Sequence, residues 1–176
     1  MASRIMMAVA LALAARAEMP VPRYTAAGEL IRPEGYREWM FVGSNLNMGY
    51  QEPAAAAAPK TSTFHNIYIQ REAYKQYERT GKFPDKTMLV MEVVAAGTNA
   101  SINKQGQFGD RFVGIEVALK DEGRFAEKWA YFDMIGKASA PAFAKDRCWS
   151  CHNQHGSDDN VFVQFYPVLR AARPKP

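Results

Sequence analysis

The sequence predicts an α+β fold in which a mostly antiparallel β-sheet packs with a few helices. Three apolar, β-tending runs are separated by polar or glycine-containing segments, as in a hairpin or meander. They cover residues 88–94, 112–118 and 128–135. Two further stretches have helical character, residues 71–80, which Gly81 closes, and residues 148–155, which Gly156 follows.

The remaining segments extend this prediction. Apolar runs at residues 36–42, which end at Gly43-Ser44-Asn45, and at residues 64–69 indicate two more strands. Four stretches are interpreted as irregular: an extended arm at 18–37, a surface loop of five alanines at 54–58, a long hairpin loop at 98–110, and residues 138–146.

The first 17 residues resemble a signal peptide. Arg4 precedes an apolar run at residues 5–14 that is too short to span a bilayer, and Ala15-Arg16-Ala17 fits a signal-peptidase site. We therefore expect cleavage before Glu18, a periplasmic location and one domain over residues 18–176. The alternative is an uncleaved membrane anchor.

Charge argues against a nucleic-acid partner. The 176 residues carry a formal net charge of +4, and loss of Arg4 and Arg16 would leave 20 basic against 18 acidic side chains. So small an excess does not provide the basic surface that binding to a duplex or to RNA requires. We expect no membrane span after cleavage.

The only two cysteines, Cys148 and Cys151, are followed directly by His152. Cys-x-x-Cys-His is the attachment signature of haem c, because both thiols reach the porphyrin vinyl groups and the histidine becomes an iron ligand. The alternative interpretations of the two cysteines are a disulfide, a thioredoxin-like redox pair or half of a zinc site. Only three histidines exist to complete a zinc site, and no β-α-β pattern supports a thioredoxin fold. We expect His155 to be an exposed residue at the helix end.

The surroundings of the motif resemble the cytochrome P-460 family, which includes cytochrome c′-beta. The resemblance lies in the motif at 148–152, in the run Asp159-Asn160-Val161-Phe162-Val163-Gln164-Phe165-Tyr166-Pro167-Val168-Leu169-Arg170-Ala171-Ala172, and upstream in Tyr36-Arg37-Glu38-Trp39, Gly114-Ile115-Glu116, Lys120-Asp121 and Trp129-Ala130. It implies one c-type haem against an antiparallel sheet, a homodimer, and either hydroxylamine oxidation or nitric oxide binding.

Met91 stands where the resemblance places the lysine that hydroxylamine-oxidising members join to the haem. A thioether has no amine for that bond, but it can serve as a distal iron ligand, as in electron-transfer cytochromes. The alternative is a methionine that fills the core. Met88 should face the opposite side of the strand, and Met48 lies in a predicted loop.

Glu116 matches a distal carboxylate of the enzyme members, where it would act as a general base, and His65 falls where those members carry a distal arginine. The alternatives are that Glu116 is an ordinary strand carboxylate paired with a lysine or arginine, and that His65 is a surface histidine on a strand.

The sequence thus favours an exported monohaem cytochrome that works in electron transfer, nitric oxide binding or both, with His152 proximal and Met91 as the candidate distal ligand. Its expected partners are small redox proteins or small nitrogen-oxide ligands. Hydroxylamine oxidation with Glu116 as base is the alternative, and a haem that gives only peroxidase-like side activity or stability is a third.

Overall fold

The computed structural model describes residues 18–49, 61–98 and 101–174. Within them it confirms the predicted α+β class: a five-stranded antiparallel sheet is packed with three α-helices. The predicted signal peptide at 1–17 and the alanine loop at 54–58 lie outside the described residues.

The sheet follows the order of the chain. Strand β1 (Leu30–Ile31) pairs with the distant β7 (Ser139–Ala140), and the five strands between them form the main sheet in the order β2-β3-β4-β5-β6. Their bounds are β2 Met40–Leu46, β3 Thr63–Ile69, β4 Met88–Gly97, β5 Phe108–Lys120 and β6 Trp129–Asp133. Helix α1 (Arg71–Thr80) connects β3 to β4, while α2 (Trp149–His155) and α3 (Pro167–Ala172) follow the sheet.

Several predicted strand boundaries were wrong. Strand β2 does not end at Gly43, because its pairing with β3 continues past a bulge to Leu46, and residues 36–38 form a short 3₁₀-helix instead of strand. Strand β5 begins at Phe108 inside the predicted loop, because residues 109–112 lie exposed on the hairpin extension and need no apolar pattern there. The arm and the stretch at 138–146 each contribute one short strand, β1 and β7.

Side chains of the sheet alternate between two cores. On one face, which we call the cavity face, Ile67, Leu89 and Tyr131 pack toward the helices. On the opposite face, Val90 and Phe132 pack with the segment that carries Leu30 and Tyr36. The central part of the sheet is therefore buried on both sides, and its side chains alternate between two separate environments.

The face opposite the cavity contains a buried charge. Glu92 is 4 % exposed and accepts hydrogen bonds from the Tyr36 hydroxyl at 2.8 Å and from Arg37 Nε at 2.7 Å. These bonds tie the 3₁₀-helix to β4 and satisfy the carboxylate away from water. None of the described helices is long and apolar enough to cross a bilayer.

Candidate functional site

A cavity of about 420 Å³ lies between the sheet and the segments that follow it. The cavity face lines it with Ile67, Leu89, Met91, Glu116, Ala118 and Tyr131. From the opposite side it is lined by Arg147, Cys148, Cys151, His152, Asn160 and Phe162. Its volume falls in the range of about 300–1,000 Å³ that small-molecule and cofactor sites occupy.

The cysteine motif lies at the start of α2. Cys148 directly precedes the helix and Cys151 lies within it, so both thiols reach the cavity from one turn. Both cysteines are half-buried and neither forms a disulfide. Burial raises the pKa of the Cys148 thiol, and the charge of Glu116 adds to the effect. Helix α2 begins one residue later than predicted, and His155 is its exposed last residue, as expected.

Helix α2 ends at Gly156, and close approach of the chain is the reason that a glycine stands there. Its φ is −65°, which any residue adopts, so a left-handed cap is not the reason. A Cβ at this position would lie 2.6 Å from the His152 carbonyl oxygen and 2.8 Å from the Asn160 carbonyl carbon. The prediction that the helix ends at Gly156 is confirmed, and close approach of the chain explains why this residue is glycine.

His152 is held by two rings and one hydrogen bond. Its imidazole lies 4.2 Å from the Tyr131 ring and 4.3 Å from the Phe162 ring, measured between centroids. Nδ1 is 2.9 Å from the backbone oxygen of Asn160, and because a carbonyl only accepts, Nδ1 carries the proton. Burial lowers the pKa of His152, which favours the neutral ring, whose Nε2 lone pair suits a metal.

Met91 lies on the cavity face of β4, paired with Ile67 of β3 and Glu116 of β5. Its half-buried side chain lines the same cavity as His152. Met88 is 2 % exposed in the core of the opposite face, as the odd spacing predicts, and Met48 follows β2 outside the cavity lining. Of these three methionines, Met91 alone lines the cavity.

Glu116 is a cavity carboxylate with a raised pKa. Burial is the main cause and the charge of Asp133, its partner on β6, adds to it, while Arg147 acts in the opposite direction. Among the described residues, no lysine or arginine lies within ion-pair distance of Glu116. Such a carboxyl can take up and release a proton nearer neutral pH than an ordinary glutamate.

His65 lies two residues from Ile67 along β3, and hence on the cavity face, between Asn45 and Val93 of the neighbouring strands. Burial lowers its pKa, and its Nε2 is 3.3 Å from the Thr63 hydroxyl. It is not one of the residues that line the cavity.

Among the lining residues that were not predicted from the sequence are Tyr131, Arg147 and Asn160. Tyr131 was counted only as an apolar strand residue, and Asn160 only as part of the family resemblance. Arg147 directly precedes Cys148, so its position beside the motif was the one available signal.

The cavity fits a large, mostly apolar cofactor with polar groups at its edge. Its lining is dominated by aliphatic and aromatic side chains, and two thiols and a neutral imidazole enter from one helix. The Asn160 side-chain nitrogen is buried without a hydrogen-bond partner, which leaves a donor for a polar group of a bound molecule. Together these features suit a haem.

An antiparallel sheet whose cavity receives a Cys-x-x-Cys-His helix defines a protein of the c-type cytochrome class. A model of the cytochrome P-460 family matches residues 33–163, which is more than half of the chain and includes the motif. The chain belongs to the cytochrome P-460 family, and membership implies that it binds haem. A search of curated protein sequences found no match to the chain.

Proposed function

We propose that this protein is an exported monohaem c-type cytochrome whose main role is electron transfer. In this proposal thioether bonds at Cys148 and Cys151 hold the haem, His152 is the proximal ligand, and Met91 is the distal ligand. One observation carries the proposal: the Met91 side chain lines the same cavity as the motif, and the neighbouring Met88 does not.

The bound haem would supply a reversible one-electron change at its iron. The chain's own contribution is to exclude water with apolar walls and to orient the imidazole through the Asn160 carbonyl. A thioether opposite the histidine would raise the reduction potential, because soft sulfur favours the ferrous state. Small redox proteins are the partners this role requires.

Nitric oxide binding is a second role of the same haem. It requires that Met91 leaves the iron or does not reach it, because the gas then has a free position on the iron. Hydroxylamine oxidation is the second candidate, and Glu116 is the observation that favours it. Its carboxyl lines the cavity with a raised pKa, which suits a general base. Met91 argues against this reaction, because the resemblance associates it with a lysine-haem bond that a thioether cannot form.

The proposal is tested by the optical spectra of the purified holoprotein with Met91→Leu and Met88→Leu as matched variants. Both changes remove one sulfur from β4 at nearly constant volume, on opposite faces of the strand. We expect wild type and Met88→Leu to show a low-spin haem with the weak near-red sulfur-to-iron band. We expect Met91→Leu to lose that band.

A high-spin wild-type haem that binds carbon monoxide or nitric oxide at modest concentration would contradict electron transfer and favour gas binding. Reduction of an acceptor that depends on hydroxylamine, and that is lost in Glu116→Gln, would favour the enzyme.

A further inference from the structure

The loop after α2 contains two consecutive non-glycine residues in the left-handed region. Asp159 has φ 44° and Asn160 has φ 63°. Such a conformation is strained for a residue with a side chain and persists where surrounding contacts determine it. Asparagine and aspartate tolerate this region better than other residues, so the turn is allowed but still has to be held.

Contacts from the sheet hold Asp159. Lys120 Nζ donates to Asp159 Oδ2 at 2.8 Å, and Trp129 Nε1 donates to Asp159 Oδ1 at 3.1 Å. Lys120 ends β5 and Trp129 begins β6, so both donors stand on paired strands. The two carboxylate oxygens are therefore fixed to the rigid end of the sheet.

Lys120 is itself buried, and its ammonium group contacts Phe83 and Glu122 as well as Asp159. Its side chain is 10 % exposed, and Nζ also donates to the Phe83 carbonyl at 2.9 Å and lies 3.3 Å from Glu122 Oε1. Burial alone lowers the pKa of Lys120, but Asp159 and Glu122 outweigh it and raise the pKa above its ordinary value. The ammonium therefore favours its charged form, in which it pairs with Asp159 at 2.8 Å.

The next residue along the turn presents the carbonyl that orients the imidazole. The Asn160 oxygen accepts from His152 Nδ1 at 2.9 Å and from the Tyr131 hydroxyl at 3.3 Å. A continuous path therefore leads from Lys120 through Asp159 and Asn160 to His152. Each link is a hydrogen bond or a peptide unit.

We propose that the Lys120–Asp159 ion pair is a positioning device for the proximal histidine, and that by fixing the Asn160 carbonyl it sets the reduction potential of the haem. The inference rests on the proposed ligation of iron by His152. A firm hydrogen bond from Nδ1 makes the imidazole a more basic ligand and favours the ferric state. If the Asn160 carbonyl is less firmly held, its hydrogen bond with His152 Nδ1 weakens, and the ferrous state is favoured.

The test compares two double variants that each keep the net charge. Lys120→Met with Asp159→Asn removes the ion pair, and asparagine still tolerates the left-handed turn. Lys86→Met with Asp121→Asn is the matched control, because Lys86 pairs with the buried Asp121 in a Lys–Asp pair that does not contact the turn. Both holoproteins are measured by spectroelectrochemistry and by NMR exchange of the His152 Nδ1 proton.

We expect the first variant to raise the equilibrium constant for haem reduction about threefold and to speed Nδ1 proton exchange about tenfold, the effects of weakening one hydrogen bond. The control should destabilise the fold and leave both readouts at wild-type values. Wild-type values in the first variant, or equal shifts in both, would overturn the inference.

The two proposals can fail separately. If the wild-type spectrum lacks a hyperfine-shifted His152 resonance, both the ligation and the inference built on it are wrong. If that resonance is present and only the shifts are missing, the positioning role alone is wrong. Should the double variant not fold, Asp159→Asn and Asp121→Asn are compared by Nδ1 exchange, where faster exchange in Asp159→Asn alone supports the inference and its absence overturns it.

Discussion

At the scale of single residues, Glu116 shows how a cavity changes the chemistry of an ordinary side chain. Its neighbours in the sheet are Met91 and Asp133, so one neighbour is apolar and the other repels negative charge. Arg147 offsets part of this effect. The fold therefore holds a carboxyl that favours its neutral form more than a glutamate in water does.

Glu116→Gln should change the pH dependence of stability. The folded-state pKa of Glu116 lies above its usual 4.5, so folding favours the proton, and the free energy of unfolding falls as pH rises from the unfolded pKa through the folded one. Glutamine abolishes this loss. The stability of Glu116→Gln relative to wild type should therefore increase across this pH range in urea unfolding of the holoprotein.

Glu127→Gln is the control, because a hydrogen bond from Lys145 lowers the pKa of Glu127 and reverses the sign. Its stability relative to wild type should decrease as pH rises. Parallel pH profiles for wild type and Glu116→Gln would show that burial does not shift this carboxyl.

At the scale of elements, α2 depends on tertiary contacts. Seven residues are too few for a helix that is stable by itself. Trp149 Nε1 donates to the Glu127 carbonyl at 3.2 Å, and Lys145 lies over the Trp149 ring at 4.5 Å. At the other end, Gly156 allows the loop to return against the helix. The positions of the motif residues therefore depend on both ends of α2.

Gly156→Ala should destabilise the protein by about 1–3 kcal/mol, the cost of forcing atoms into a packed site. The added methyl group meets backbone atoms of His152 and Asn160, which cannot rotate away. Urea unfolding of the holoprotein measures the loss. Gly123→Ala is the control, because the nearest atom to its Cβ would be 3.8 Å away, and it should stay within about 0.5 kcal/mol of wild type. Equal stabilities would show that the loop relaxes freely.

At the scale of the whole molecule, the site is assembled from distant parts of the chain. Strands β4 and β5 bring Met91 and Glu116, α2 brings the motif, and the following loop brings Asn160. The opposite face of the same strands forms a second core. A two-faced sheet thus separates the cavity from the elements that anchor the N-terminal arm.

Export should remove residues 1–17 and precede haem attachment. In a bacterial host that matures c-type cytochromes, we expect intact-mass analysis of the periplasmic fraction to show a chain that starts at Glu18 and carries one haem. Cys148→Ser with Cys151→Ser should have the same first residue without the haem mass. A membrane-bound product that keeps residues 1–17 would indicate an anchor.

Much of the site could be predicted because its chemistry is local in sequence. Cys148, Cys151 and His152 are adjacent on one helical turn, so a pattern of five residues describes them. The alternation of β4 likewise predicts that Met88 and Met91 face opposite sides. Tyr131 and Asn160 could not be assigned, because nothing in their local sequence indicates which distant side chains they meet, and Arg147 had only its position beside the motif as a signal.

Sequence alone determined the sheet-and-helix class, the haem motif and the family, since periodicity and contiguous motifs depend on neighbours along the chain. Only the tertiary structure decided that Gly156 is required by close approach and that the Asn160 carbonyl orients His152. It also decided that Lys120 reaches Asp159 across 39 positions of sequence. These features depend on distances between separate segments, and the packing of the sheet sets those distances.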